Sequence, residues 1–191
     1  VYLYYTESKK GDGLDNCPND PKQWYSPAHH CKPENEPIGN RLYKYELKNN
    51  ELTNPKLLIT LPAWPSSSHN GGALKIGPDN NIYFTIGDLL GGTYNNSRTK
   101  AQNFNAREPD GRAGILRITQ DGNVVEQGIL GKSMPLRLYY SYGIRNSFGI
   151  DFDPVTGNLW DTENGPEYGD EINLVEPGFN SGWEHVQGIW E

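Results

Sequence analysis

At 191 residues the chain has the length of one ordinary domain with a sizeable core, and its 22 Gly, 14 Pro and 12% aromatic residues, against a single Met, favour an all-β protein over a helix bundle. A formal charge of -7 without a Lys/Arg cluster argues against nucleic acid or an anionic membrane surface as partner, and leaves carbohydrate, a divalent cation or another protein. The sequence has no run of about 18 apolar residues, so no membrane-spanning helix is expected.

Residues 1–8 read as a strand already under way, with neither an initiator Met nor a signal peptide, as in a processed or truncated product. Residues 9–38 form a polar insertion with five prolines and both cysteines. Cys17 and Cys31 flank thirteen irregular residues that cannot supply their own core, so a disulfide closing that loop is expected. It would place the protein in an oxidising compartment: secreted, periplasmic or extracellular. His29 and His30 beside Cys31 raise a metal site as the rival, although the spacing matches no common zinc pattern.

Regular alternation begins at Arg41–Leu47, turns at Lys48-Asn49-Asn50 and resumes at Glu51-Leu52-Thr53, with a strand-like Lys56–Ile59 after Pro55. Next comes Ser68-His69-Asn70-Gly71-Gly72, and then a hairpin pattern over 73–85 around the Pro78-Asp79-Asn80-Asn81 cluster, closing on Gly87-Asp88. The two ends of a hairpin meet. His69 and Asp88 leave those ends, so the carboxylate can hold one imidazole nitrogen and leave the other to take a substrate proton. A loop histidine bonded for structural reasons is the alternative.

Gly91–Ser97 is a loop containing Asn95-Asn96-Ser97, an acceptor pattern for glycosylation. Ile115–Ile118 alternates into an Asp121-Gly122 turn and out through Val124-Val125, repeating the 41–52 pattern. Tyr139–Gly149 places Arg145 and Asn146 at a strand entrance, where a planar donor fork beside an amide suits a carboxylate or quinone oxygen; a structural arginine bonded to backbone carbonyls is the alternative. Residues 149–162 repeat the 74–85 hairpin, with Pro154 for Pro78 and Thr162 for Thr85. Five carboxylates then fall between Asp161 and Glu171 around a Gly165-Pro166 turn, a hard-oxygen environment suited to calcium or simply a solvated acidic loop. The tail 177–183 reads as a turn followed by a packing tryptophan.

The two hairpins recur at an offset of about 73–77 residues, which makes four strands per period. Tandem four-stranded antiparallel units are propeller blades, and residues 1–191 hold about two and a half of them in a single partial domain. Propellers close with about four to eight blades, so the chain is expected to be a fragment, or to have its open edges covered by something else.

His-Asn-Gly-Gly at 69–72, Gly-Ile-Arg-Asn-Ser-Phe-Gly at 143–149, Glu-Asn-Gly-Pro at 163–166 with Gly-Asp-Glu-Ile-Asn at 169–173, and Pro-Gly-Phe-Asn-Ser-Gly-Trp at 177–183 together resemble the glucose/sorbosone dehydrogenase family. The resemblance implies a six-bladed propeller that oxidises an aldose at C1, with pyrroloquinoline quinone (PQQ) and calcium as cofactors and an external electron acceptor. It implies His69 as general base with Asp88 as its partner, Arg145 and Asn146 on the quinone, and the carbonyls of Gly165 and Pro166 on calcium. Glu171 matches a ligand of a second, structural calcium in some members. Three positions depart from the family pattern: Phe148 stands where a glutamine is usual, Asn164 where a histidine is usual, and Ser68 where glucose-oxidising members carry an aspartate. The family's late lysine and arginines fall beyond Glu191 and its first blade before Val1, so a middle portion of the enzyme is expected. A non-catalytic extracellular binding propeller and a calcium-dependent lactonase are the competing readings.

Overall fold

A computed structural model describes residues 1–8, 37–63, 69–89, 111–125, 128–166, 168–183, 185–186 and 188. The expectations placed on Cys17, Cys31, His29, His30, Ser68, Glu167 and the Asn95 acceptor lie outside the described residues. Those residues form ten strands and one short 3-10 helix, with every strand pair antiparallel. This is the all-β class expected, and no helix among the described residues is long and apolar enough to cross a membrane.

The chain divides into two compact units, Val1–Ser68 and His69–Glu191. In the first, β1 (Tyr2–Ser8), β2 (Pro37–Lys48) and β3 (Glu51–Leu61) form one sheet in that order. Asn49 and Asn50 turn β2 into β3 at φ 51° and 64°, a two-residue hairpin turn that asparagine tolerates because its short polar side chain suits the left-handed region. β3 runs through Pro55 as a single strand. The register shift between Lys44 and Glu46 absorbs the Asn54-Pro55 step, so the ladder does not need the N–H that proline lacks.

In the second unit, β4 (Leu74–Ile76), β5 (Ile82–Ile86), β6 (Gly114–Ile118) and β7 (Tyr139–Tyr142) make a four-stranded sheet in chain order. A second sheet has the order β10-β9-β8, built from β8 (Ser147–Phe152), β9 (Leu159–Glu163) and β10 (Glu171–Val175). Both hairpins read from the sequence form here, and both turns use the same device. Asp79 Oδ1 accepts from the Asn81 backbone N–H at 3.1 Å, and Asp153 Oδ1 from that of Val155 at 2.8 Å. The third hairpin forms only in part. Val124 makes an isolated bridge to Ile118, and β6 takes β7 as its partner instead. Two valines before a polar stretch bury less than Tyr139–Tyr142, whose Tyr139 and Ser141 are fully enclosed.

If β8-β9 repeats β4-β5 and β2 repeats the β6 position, the three sheets are strands two to four, one to four and one to three of a four-stranded unit. Between the two sheets of the second unit lies a core of Tyr83, Ile115, Ile144, Ile150, Leu159 and Val175. The Tyr83 ring meets Tyr140 and Phe152 edge-on at 5.0 and 4.9 Å. All five residues of β5 are buried, which fits a near-continuous apolar run and makes this strand the rigid element from which the following loop departs.

Candidate functional site

His69 enters β4 and Asp88 leaves β5. The Ala73 N–H donates to Thr85 Oγ1 at 3.2 Å and the Thr85 N–H to the Ala73 carbonyl at 3.0 Å, lashing entry to exit. A Cβ on Gly71 would collide with the Thr85 carbonyl, so the two segments approach as closely as they do only because residue 71 is glycine. His69 itself has φ 57°, a left-handed conformation uncommon for a side-chain-bearing residue. Its Nδ1 lies 2.5 Å from Asp88 Oδ1. Asp88 is 1% exposed, and its second oxygen accepts from the indole Nε1–H of Trp183 at 2.8 Å. With Asp88 Oδ1 as acceptor, Nδ1 carries a proton, and in the neutral ring Nε2 is the nitrogen that presents a lone pair.

Arg145 and Asn146 lie in the link from β7 to β8, beside this pair. The Asp88 N–H donates to the Arg145 carbonyl at 2.9 Å. The Arg145 N–H donates in turn to Glu163 Oε1 at 2.5 Å, and Ser181 Oγ donates to Glu163 Oε2 at 2.5 Å. Arg145 is a buried cation with few protein partners: Nη1 donates to the Asn164 carbonyl at 3.2 Å, the guanidinium lies 5.4 Å from the Trp183 ring, and Nε has no partner. Burial pulls its pKa below the ordinary value, against the opposing charges of Asp88, Glu163 and Asp170. Asn146 Nδ2 donates to Asn164 Oδ1 at 3.2 Å, while Asn146 Oδ1 is buried without a partner. A cation with spare donors and an orphaned amide oxygen fit a planar, oxygen-rich ligand that also carries an N–H or O–H, and PQQ has that chemistry.

Asn164 extends the chain of contacts, because its Nδ2 donates to the Gly165 carbonyl at 3.2 Å while the Gly165 N–H donates to Asp170 Oδ1 at 2.9 Å. Among the described residues no group of three or more His, Cys, Asp or Glu side chains could hold a metal ion, so a cation bound by the described part of this loop would have to draw on main-chain oxygens such as those of Gly165 and Pro166. Glu171 stands opposite Glu163 across the β9-β10 pair and lines a cleft of about 790 Å³ with Asn173, Ser181 and His185. Its oxygens accept from the Gly188 N–H at 2.6 Å and Asn173 Nδ2 at 3.0 Å, donors that a calcium ion there would have to displace, while Ser181 Oγ, whose proton goes to Glu163, lies 3.2 Å away. Phe148 is 74% exposed.

The structure thus brings His69, Asp88, Arg145 and Asn146 together, with Asn164 leading on to Gly165, and sets Glu171 across the strand pair from Glu163, the residue that holds the Arg145 N–H. Sequence reasoning missed Glu163 as the clamp on Arg145 and reduced Trp183 to packing. The available signal was the indole N–H, which needs a partner when the ring is buried.

Asp161, two residues before the clamp, is fully buried with no well-formed hydrogen bond to either carboxylate oxygen. Burial pushes its pKa up to about 6, helped by the charge of Glu171 and opposed by the Ser147 hydroxyl and the Thr162 N–H. A raised carboxylate pKa means that the folded state holds the proton more tightly. The stability this contributes is complete below about pH 4 and is lost as pH rises through about 6, a difference of about 3 kcal/mol by pH 7. Asp161→Asn should therefore flatten the decline in unfolding free energy between pH 4 and 7, as followed by denaturant titration. Identical slopes in variant and parent would show that Asp161 ionises without cost.

The family model described as glucose/sorbosone dehydrogenase matches residues 1–189. Quinoprotein glucose dehydrogenase B of Acinetobacter calcoaceticus is 35% identical over 78% of this chain and 32% of its own length. The aldose sugar dehydrogenase YliI of Escherichia coli is 31% identical over 64% of this chain and 31% of its own length. Among solved structures, the PQQ-bound aldose sugar dehydrogenase of Streptomyces coelicolor superposes with a TM-score of 0.62 at 27% identity, covering 78% of this chain and 42% of that one. The chain spans about a third of the length of these curated relatives, and the architecture is that of a partial β-propeller.

Proposed function

The chain belongs to the glucose/sorbosone dehydrogenase family, and on that premise we propose that it carries the base and the quinone-contacting residues of a PQQ-dependent dehydrogenase acting on an aldose at C1. The observation that carries this reading is the His69–Asp88 hydrogen bond at 2.5 Å beside Arg145 and Asn146, whose unused polar atoms face no protein partner. When bound, the quinone supplies a two-electron acceptor for the hydrogen of the sugar carbon, and an external acceptor restores it. His69 takes the C1 hydroxyl proton on Nε2, while Asp88 keeps the opposite nitrogen protonated and stabilises the imidazolium that results. Arg145 would hold an anionic edge of the quinone through its free donors, and Asn146 Oδ1 would accept from it. The carbonyls of Gly165 and Pro166 would hold calcium against the same ligand.

The full-length protein, reconstituted with PQQ and calcium, should reduce an artificial dye only when an aldose is added. Chelation should abolish that activity. Failure to bind the quinone at saturating calcium, or dye reduction indifferent to both quinone and sugar, would overturn the assignment.

A further inference from the structure

We propose that Trp183 is a positioning residue of this site, with its indole N–H fixing the Asp88 carboxylate against His69 while its ring supports the Arg145 guanidinium. The inference rests on the dehydrogenase reading for its kinetic consequences and on geometry alone for the contacts themselves. A carboxylate with one bonded oxygen can rotate about its last bond. Asp88 is held at both, Oδ1 at the imidazole and Oδ2 at Trp183 Nε1, 2.8 Å away. Trp183 is 6% exposed, and in that setting an indole N–H without an acceptor is costly, so the bond ties the tryptophan as firmly as the aspartate.

The backbone behind the indole is equally constrained. The Gly178 N–H donates to the Tyr140 carbonyl at 2.7 Å, the Tyr142 N–H to Phe179 at 2.9 Å, the Ser181 N–H to Tyr142 at 3.0 Å and the Trp183 N–H to Gly143 at 2.9 Å. Residues 178–183 are therefore laced along β7 and the link that follows it, ending two residues before Arg145. Ser181 adds a second tie through Glu163, which also holds the Arg145 N–H. One segment thus fixes both halves of the site: the proton acceptor through the indole edge and the ligand-holding cation through the indole face, 5.4 Å from the guanidinium.

The test separates edge from face. Trp183→Phe keeps an aromatic face beneath Arg145 and removes the N–H. In the quinone-free protein the downfield proton resonance of His69 Nδ1–H should then move or broaden. In the reconstituted enzyme, turnover should fall about tenfold and the acid limb of its pH profile should shift to higher pH, because a carboxylate that has lost a donor holds the imidazolium more strongly. Quinone affinity should stay within about twofold. Trp183→Leu, which loses the face as well, should also weaken quinone binding. An unchanged Nδ1–H resonance together with an unchanged pH profile in Trp183→Phe would reduce the residue to packing and overturn the proposal. Should that variant fail to fold, the indole proton of Trp183 is read in Asp88→Asn instead: a displaced resonance supports the contact and an unmoved one overturns it. If the parent protein shows no sugar-dependent quinone reduction, the functional reading fails while the resonance experiments still decide the role of Trp183.

Discussion

Replacing His69 with Ala should lower the turnover number of the full-length, quinone-loaded enzyme by roughly 10²–10⁴, the range typical of removing a general base, while quinone binding survives. Oxidation of an alcohol carbon leaves a hydroxyl proton that a base must take, and Nε2 of His69 is the nitrogen left open by the bond at Nδ1. Asp88→Asn leaves the imidazole in place and should cost less than His69→Ala. Its cost should still be large, because two donors, His69 Nδ1–H and Trp183 Nε1–H, converge on a side chain that would then have a single acceptor oxygen. Turnover is measured at saturating sugar and acceptor, with quinone affinity titrated in parallel. Intact turnover in His69→Ala, or loss of folding and quinone binding together, would make the histidine structural.

The parts of this structure legible in the sequence are those whose cause is local. Hairpins β4-β5 and β8-β9 announced themselves through their Pro78-Asp79-Asn80-Asn81 and Asp153-Pro154-Val155-Thr156-Gly157 turns, because an aspartate that bonds its own backbone two residues on specifies a turn without help from elsewhere. The meeting of His69 and Asp88 followed from the first of these, since a hairpin brings its ends together whatever surrounds it. Pairing of β6 with β7 did not follow. Its determinant is the burial of Tyr139 and Ser141 against distant residues, and the nearer Val124-Val125 offered the same local pattern. Trp183 illustrates the same limit at the site, being 95 residues from the aspartate it bonds. Glu163 was counted among acidic loop residues suited to a cation. Its pKa is instead pushed up to about 8, by burial first and by the charges of Asp161 and Glu171, and its oxygens serve Arg145 and Ser181. Composition alone cannot separate a carboxylate that binds a metal from one that buckles two loops together.

Gly87→Ala should damage the site severely through a single added methyl. Gly87 is not among the residues with positive φ, so the requirement is for space and not for backbone freedom. A Cβ there would collide with the His69 carbonyl and lie 2.8 Å from Asn146 Oδ1 and 2.9 Å from the Arg145 carbonyl. Two of the three obstacles are backbone and the third is a buried amide, so none can swing away as the end of a flexible side chain would. Residue 87 cannot retreat either, because its carbonyl accepts the Ala113 N–H at 2.9 Å and the next residue's N–H is bonded to Arg145. The added methyl must therefore wedge the His69 segment away from the Arg145-Asn146 link, separating the base from the groups expected to hold its reaction partner. Overpacking of this kind costs about 1–3 kcal/mol of stability, and a displacement of about 1 Å at a reacting centre costs on the order of 10²-fold in rate. Gly149→Ala is the comparison. A Cβ at that position meets only the Thr162 hydroxyl, at 3.3 Å, and a small side-chain adjustment relieves the contact. Thermal unfolding midpoint, quinone affinity and turnover are measured for both variants. A large loss in all three is expected for Gly87→Ala and a small one for Gly149→Ala. Parent-like quinone affinity and turnover in Gly87→Ala would mean that His69 and Asn146 need not be held this close for the site to work.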